Sequence, residues 1–266
     1  MKKHTFQLCF AFLTAFIIWA AAILISPAFA VYRFDLPKGL IGRTFETETR
    51  LKKDGSLLGR STTIFEQKSY KGRQFLVITG RSNGTIDGKG FSSEISRNYA
   101  LNDGKITADS IKGTTKTGEK PWTDYYIGFD WKSLTARVIY KDFEKNDAVD
   151  KSVALDTKMV AIQDLDLYLS SMMARNMREE KLKALLPNGQ TFSFLIKMSG
   201  QPETLVVKGE NIACRRIELK PDLGLLNIII PNVNYWVRNE PPYELIRYSG
   251  LLSGPGSPDV VIETVN

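Results

Sequence analysis

A series of glycine-containing turns between alternating apolar and polar runs constrains this chain more than any other feature. Asp54-Gly55, Lys71-Gly72 and Asp103-Gly104 each separate two segments rich in Thr, Ile, Val, Phe and Tyr. An Xaa-Gly pair between two such runs indicates a β-hairpin, because glycine readily adopts the positive φ that tight hairpin turns require. Residues 31 to about 156 are therefore predicted to form an antiparallel meander.

The segment after Phe91 shows the period of a strand most clearly. Phe91, Ile95 and Tyr99 fall on one side of an alternation of two, and polar residues fall on the other. Those polar residues are Ser92, Glu94, Ser96 and Asn98. Period-two patterning of this kind predicts one buried and one solvated face of a sheet.

The pattern changes between Val160 and Leu186, where apolar residues recur at steps of three and four. The members of this stripe are Ile162, Leu165, Leu169, Met172 or Met173, and Met177. Such spacing places them on one helical face. We predict a helix over roughly 163 to 184 that stops at Pro187-Asn188-Gly189. Asp164 and Asp166 at its start are interpreted as capping and helix-dipole residues.

Strand patterns resume after Gly189, and the segment that follows shows no linker rich in Pro, Gly or Ser that would divide two domains. We therefore predict a single β-rich domain over 31–266. Its fold class is mainly β with one main helix (α+β). A curved antiparallel sheet, a half-barrel or clam, is expected to wrap the helix.

The first thirty residues differ from the rest of the chain. Lys2 and Lys3 precede an apolar run, and Ala28-Phe29-Ala30 has the small residues of a cleavage site. This organisation is typical of a secretory signal peptide, here 1–30, and predicts a periplasmic protein. The uncharged run is also long enough to span a bilayer, so a retained anchor stays an alternative. After cleavage no transmembrane segment is expected.

Charge and composition exclude several kinds of function. Removal of Lys2 and Lys3 lowers the formal charge from +7 to +5, and basic residues are interleaved with acidic ones, which argues against nucleic acid. The only histidine is His4, in the leader, and the only cysteine beyond the leader is Cys214. A Ser-His or Cys-His pair and a zinc cluster are thus excluded. No catalytic residue, metal or cofactor is predicted.

Six segments together resemble a broad family of bacterial envelope proteins described as a domain of unknown function. They are LNDGKITADSI, GFDWKSLTARVIY, AIQDLDLYLSSMMARNM, LLPNGQTFSFLIK, VVKGENIACRRIEL and YWVRNEPPYELIRYSG. The matching elements are Phe129-Asp130, Gln163-Asp164, Gly189, and Trp236 with Pro241 and Pro242. The resemblance covers about Phe45 to Val261. It departs at Glu240, before the turn prolines, and in the longer loop Ser253 to Pro258.

Such proteins are similar in architecture to the periplasmic lipoprotein-localisation carriers, in which a curved sheet wraps a helix and leaves an apolar cavity. By this analogy the resemblance implies a non-catalytic envelope protein that binds a lipidic or hydrophobic ligand in a β-clam cavity. Met172 and Met173 are either core residues or part of a flexible apolar site for that ligand. An interior filled by these side chains would argue against a carrier.

The second candidate binding region is the stretch around Trp236. If Asn239 to Pro242 form a four-residue loop, Trp236 pairs with Leu245 and lies between Arg238 and Arg247. This face is either a shielded hairpin surface or an aromatic platform with two cations for an anionic headgroup.

Two other functions stay open at this point. One is an envelope interaction or scaffold protein that docks a protein partner on a sheet edge or a basic face. The other is a hydrolase that uses carboxylates. The sequence names no substrate for such an enzyme.

Overall fold

The computed structural model describes residues 33–86, 88–222, 233–252 and 257–265. The predicted signal peptide and most of the Ser253 to Pro258 loop lie outside these ranges. The strands of the first half are β1 Arg33–Asp35, β2 Thr44–Leu51, β3 Leu57–Tyr70, β4 Arg73–Ile86, β5 Lys89–Asn102, β6 Lys105–Thr117, β7 Lys120–Asp130, β8 Thr135–Asp142 and β9 Asp147–Ala154. Those of the second half are β10 Met159–Ala161, β11 Glu179–Leu185, β12 Thr191–Met198, β13 Glu203–Val207, β14 Glu210–Pro221, β15 Val233–Arg238, β16 Leu245–Leu251 and β17 Asp259–Thr264.

All seventeen strands belong to one sheet, in the order β1-β10-β11-β12-β13-β14-β15-β16-β17-β2-β3-β4-β5-β6-β7-β8-β9. Strand β1 also pairs with β6, and β12 also pairs with β14. The described ladders are antiparallel except for the short β10–β11 pair. Among the described strands β9 pairs only with β8, so the sheet keeps an open edge there. The structure confirms the predicted class, a large curved antiparallel sheet with one main helix.

The three predicted hairpin turns are present. They connect β2 with β3, β3 with β4, and β5 with β6. At the second and third turns both residues have positive φ: Lys71 49° and Gly72 76°, then Asp103 51° and Gly104 71°. Two successive positive φ values twist the chain in the sense that matches the twist of the flanking strands. The local sequence therefore determines these connections.

The helical region is shorter than predicted. A 3-10 helix, Ile162–Asp164, leads into the α-helix α1, Leu165–Ala174. Asn176 then takes a φ of 52°, a left-handed conformation that Asn tolerates and that ends a helix. Glu179–Leu185 is strand β11, not the last turns of the helix. The prediction of a helix to 184 was wrong because Leu182 and Ala184 also fit an alternation of two, and pairing with β12 stabilises the strand.

The main core lies between α1 and the inner face of the sheet, by which we mean the face that packs against α1. Buried core residues from the helical segment are Leu165, Leu167, Tyr168, Leu169, Met172 and Met173. Those from the sheet include Phe65, Leu76, Ile78, Tyr99, Ile106, Leu182, Phe194, Ile196, Ile217 and Val237. Because these side chains pack together, α1 and the apolar part of the inner face fill the centre of the fold.

Candidate functional site

The hairpin that carries Trp236 has a different register from the predicted one. Its loop is one residue longer, since the backbone N–H of Arg238 donates to the carbonyl of Glu244. Trp236 lies opposite Arg247, Val237 lies opposite Leu245, and a β-bulge separates the two pairs. The predicted pairing of Trp236 with Leu245 is therefore wrong. The bulge and the longer loop each move β16 by one residue, and a residue count between the strands cannot reveal either.

This register divides the hairpin between two faces. Tyr235, Val237 and Leu245 pack into the main core on the inner face. Trp236 and Ile246 pack instead in a small outer cluster with Leu205, Val207 and Cys214. Leu245 and Trp236 thus do not share a surface, and the face that carries Trp236 is already covered by β13 residues.

The two arginines beside Trp236 are paired with carboxylates. Both Nε and Nη2 of Arg238 donate to Oε1 of Glu244, at 2.7 and 2.6 Å. Arg247 pairs with Glu263 in the same manner. The indole N–H of Trp236 donates to Oε2 of Glu203 at 3.1 Å. The polar atoms of the predicted cationic platform are therefore engaged within the fold, which favours the shielded-hairpin interpretation.

The methionine pair lies in the interior. Met172 is fully buried and Met173 is 8% exposed, both within the core formed by α1 and the sheet. A cavity beside the helix measures about 100 Å3 and contacts Leu167 and Ser170. That volume is small beside the 300–1,000 Å3 of ordinary ligand sites. The methionines fill the centre of the fold, where the resemblance implied a lipid cavity.

A charged network joins the start of α1 to the inner face of β5. Arg97, 5% exposed, makes two hydrogen bonds with Asp166, Nη1 to Oδ1 at 2.6 Å and Nη2 to Oδ2 at 2.9 Å. The Tyr99 hydroxyl donates to Oδ1 of Asp164 at 2.6 Å, and Nη1 of Arg97 lies 4.0 Å from the same oxygen. A buried carboxylate, Asp164, and a partly exposed one, Asp166, thus share one buried guanidinium.

Burial determines the ionisation of this network. Desolvation raises the pKa of Asp164 to about 7, against the opposing effects of Arg97 and Tyr99. Burial also raises the pKa of Tyr99 well above its usual value. A carboxyl group that titrates near neutrality can exchange a proton. Asp164 is however only 2% exposed, so a substrate could not reach it without movement of α1. We interpret the network as the polar connection between helix and sheet.

The sequence contains a signal for this network in the position of Arg97 along β5, although the network was not predicted. Arg97 has the same parity as Ile95 and Tyr99 and therefore occupies the buried face of β5. A charged residue on such a face requires a buried partner.

Asp164 makes no capping hydrogen bond from its side chain, so its interpretation as a cap was wrong.

A groove of about 570 Å3 lies at the ends of the long hairpins, opposite the Lys71-Gly72 turn. Strands β4 to β7 and the segment after β8 form it. Its apolar lining is Ile86, Phe91, Pro121, Trp122 and Phe143, and its polar lining is Lys89, Thr117, Lys120 and Glu144. We call this cavity the aromatic groove.

The aromatic groove was not predicted, although its residues flank turn signals. Phe91, Trp122 and Phe143 come from three different connections, and only the register of four hairpins brings them together. Trp122 is 36% exposed, which is unusual for so large an apolar side chain. The available signal was the position of these three aromatic residues in or shortly after turns.

Within the described ranges, no group of three or more His, Cys, Asp or Glu side chains is placed to hold a metal ion. No described helix is both long and apolar enough to cross a membrane.

The sequence matches no protein-family model. No curated protein matches it either. The structure is similar to a β-barrel-like protein of the domain-of-unknown-function family DUF1849 from Brucella abortus (TM-score 0.43, 9% identity, 84% of this chain and 93% of the other). It is also similar to a DUF1089 family protein from Pseudomonas aeruginosa (TM-score 0.34, 6% identity, 69% of this chain and 87% of the other). A third similar structure is that of the hypothetical lipoprotein YmcC from Escherichia coli (TM-score 0.32, 12% identity, 88% of this chain and 92% of the other).

These similar structures agree with the resemblance to bacterial β-rich domains of unknown function. At such identities and TM-scores they carry no argument about function.

Proposed function

We propose that this chain is an exported, non-catalytic protein of the bacterial envelope that binds a lipidic ligand, and that the ligand lies in the aromatic groove. The location differs from the cavity implied by the resemblance, because α1 and its methionines fill the centre of the fold. Export is supported by the organisation of residues 1–30 as a secretory signal.

The observation that carries the proposal is the lining of the groove. Rings of Phe91, Trp122 and Phe143 form an open apolar surface in a cavity whose volume suits a small ligand. Burial of each methylene of an acyl chain contributes about 0.8 kcal/mol. A few methylenes on these rings therefore outweigh any single polar contact at the surface.

Two lysines give the groove a preference in charge. Lys89 begins β5 and Lys120 begins β7, and both line the cavity with one carboxylate, Glu144. No ion pair of either ammonium group occurs in the part of the chain that the structure describes. A solvated Lys–carboxylate contact contributes at most about 1 kcal/mol. The lysines would thus orient an acidic headgroup, and the rings would supply the affinity.

The test is a titration of the full chain, extracted from the envelope with mild detergent, with cis-parinaric acid, a fluorescent fatty acid. We expect saturable binding, weakened about tenfold or more by Trp122→Ala or Phe143→Ala. Tyr70→Ala is the matched control, since Tyr70 is an exposed aromatic residue at the opposite end of the same hairpins. Absence of saturable binding together with absence of copurified lipid by native mass spectrometry would reject the proposal.

A protein partner remains the second candidate because β9 leaves an open sheet edge. Asp150 and Lys151 lie within this edge, and charges on an edge strand oppose indiscriminate strand addition. A partner at this edge would therefore need complementary charges. In-cell crosslinking from β9 that recovers one protein without lipid would favour this function.

A further inference from the structure

Seven hydroxyl side chains form one continuous row across the inner face of the sheet. Each residue is the direct cross-strand neighbour of the next, through seven strands from β17 to β7. The members of this hydroxyl row are Thr264, Thr47, Ser61, Ser82, Ser93, Thr115 and Thr123. The parity of Ser82 is that of Leu76 and Ile78, which pack in the main core. The row therefore faces inward.

Hydrogen bonds within the row position its hydroxyl groups. Ser61 donates to Ser82 at 2.8 Å, and Thr115 donates to Ser93 at 3.2 Å. A hydroxyl group has one donor and two acceptor sites, so one such contact leaves further capacity on each oxygen. The row thus presents ordered groups that can still bond to a ligand.

Two aromatic rings lie against the sheet on either side of the row. The ring of Tyr125 covers Gly113, where an added Cβ would meet its Cε1 at 2.3 Å. The ring of Phe91 reaches over Gly84, where the corresponding distance is 2.8 Å. Gly113 and Gly84 stand in the rows next to the hydroxyl row, one on each side. A side chain at Gly113 would displace the Tyr125 ring, and one at Gly84 would meet the Leu58 carbonyl oxygen at 2.1 Å as well as the Phe91 ring.

The outer face at the same strands has a different character. Glu48 pairs with Arg60, and Arg81 pairs with Glu94, all on the side opposite to the hydroxyl row. No charged residue interrupts the row between β17 and β7; the first carboxylate is Asp142 on β8. The row itself is thus neutral and rich in hydroxyl groups, while the outer surface of the same strands is ionic.

One end of the row lines a cavity, and the row next to it along the strands lines another. Thr264 and Thr47 line the cavity of about 100 Å3 beside α1. The adjacent row, two residues further along β5 and β6, contributes Phe91 and Thr117 to the aromatic groove. Thr264 is buried, but the other six members of the row are partly exposed, so a ligand on the inner face can reach their hydroxyl groups.

We propose that the hydroxyl row and the rings of Phe91 and Tyr125 form a binding site for a neutral oligosaccharide. A pyranose ring presents C–H groups on its faces and hydroxyl groups at its rim. The aromatic faces suit the former, and the row suits the latter. Strands are about 4.8 Å apart, comparable to the length of one hexose unit, so successive sugars would meet successive hydroxyl groups. A neutral surface also avoids the desolvation of a charge.

This site is distinct from the proposed lipid site, although Phe91 contributes to both. The test is calorimetric titration of the full chain with two neutral tetrasaccharides, fully N-acetylated chitotetraose and maltotetraose. Ser93→Ala and Thr123→Val remove one hydroxyl group each from the row, and each should weaken binding about fivefold. Their matched controls are Ser92→Ala on the outer face of β5 and Thr114→Val on the outer face of β6. These two substitutions should leave the affinity for the tetrasaccharides unchanged.

Cis-parinaric acid should bind equally to wild type and to all four variants, so failure of either site can be recognised separately. Thermal unfolding of each variant establishes that it is folded. The inference is overturned if neither tetrasaccharide binds saturably. Equal weakening by the inner-face and the outer-face substitutions would overturn it as well. Tighter binding of tetragalacturonate, an acidic oligosaccharide of the same length, would contradict the assignment of a neutral ligand.

Discussion

The hydroxyl group of Tyr99 donates a hydrogen bond of 2.6 Å to Oδ1 of Asp164, and both side chains are enclosed between β5 and the start of α1. This contact fixes the helix to the sheet at a point where apolar packing alone would not specify its rotation. It also places a carboxyl group where water cannot stabilise its charge. The stability of the fold should therefore depend on pH.

The pKa of Asp164 is about 7 in the folded protein, against an ordinary value of 3.8, and burial is the main cause. Between these two pH values only the folded state retains the proton. The free energy of unfolding should consequently fall as the pH rises from about 4 to about 7, and the loss should be complete above that. This difference between the two pKa values corresponds to a few kcal/mol of stability, since each pKa unit contributes on the order of 1.4 kcal/mol.

Asp164→Asn removes this titration while its side-chain oxygen can still accept from Tyr99. Urea unfolding at pH 4.5 and pH 7.5 should show a smaller change for the variant than for wild type. Asp109→Asn, at an exposed position of β6, is the control and should retain the wild-type difference. An identical pH dependence in Asp164→Asn and wild type would show that the carboxyl group is ionised throughout.

Arg97 should be far more important to stability than an exposed arginine. Arg97→Gln leaves Asp166 without its two charged hydrogen bonds and Asp164 without a nearby cation. Loss of one partner of a fully buried pair typically costs about 3–5 kcal/mol, and the cost here should be somewhat lower because the Asp166 side chain is 34% exposed. Arg81→Gln, which breaks the exposed pair with Glu94 on the neighbouring strand, should cost about 0–1 kcal/mol. Chemical denaturation measures both, and equal costs would contradict the burial argument.

The hairpin arginines provide a test of the predicted cationic platform. Arg238→Gln removes the partner of Glu244, whose side chain is only 10% exposed, and should cost about 1–3 kcal/mol. Arg247→Gln should cost less, because its partner Glu263 is 29% exposed and is better solvated when it is left unpaired than Glu244, at 10%. Neither change should alter the affinity for cis-parinaric acid if the ligand lies in the aromatic groove. Weakened binding by either variant would instead assign the ligand to the Trp236 face.

The methionines of α1 distinguish a filled interior from a ligand cavity. Met172→Ala should lower the free energy of unfolding by about 2–5 kcal/mol, since it opens a cavity in a fully packed region. Met172→Leu, which conserves volume, should cost less than about 1.5 kcal/mol. Both should bind cis-parinaric acid like wild type. A ligand site inside the clam would be revealed if Met172→Ala lost little stability and changed its affinity.

The antiparallel meander could be predicted from the sequence because its turns and strand faces are specified by neighbouring residues. The turn at Asp103-Gly104 and the alternation through Tyr99 specify strands and their faces without knowledge of distant contacts. The Trp236 hairpin shows the limit, since one additional loop residue and one bulge exchanged the faces of Leu245 and Ile246. The aromatic groove shows a second limit. Its rings are separated along the chain and meet only once several registers are known.

The end of α1 is the clearest case of tertiary structure overriding a local pattern, and it leads to a last prediction. Asn176 has a φ of 52° directly after the helix, and its Oδ1 accepts a hydrogen bond of 3.4 Å from Nη1 of Arg215. Asn176→Val should cost about 1–2 kcal/mol, because a β-branched residue is strained in the left-handed region.

Asn176→Gly loses only the exposed hydrogen bond and keeps the backbone conformation, so it should be nearly neutral. Thermal unfolding should therefore rank wild type and Asn176→Gly together, with Asn176→Val clearly below them. Circular dichroism of the valine variant should show no gain of helix, since β11 is paired with β12 along its whole length. A longer helix in that variant would mean that Asn176, and not strand pairing, is what prevents the helix from extending to 184.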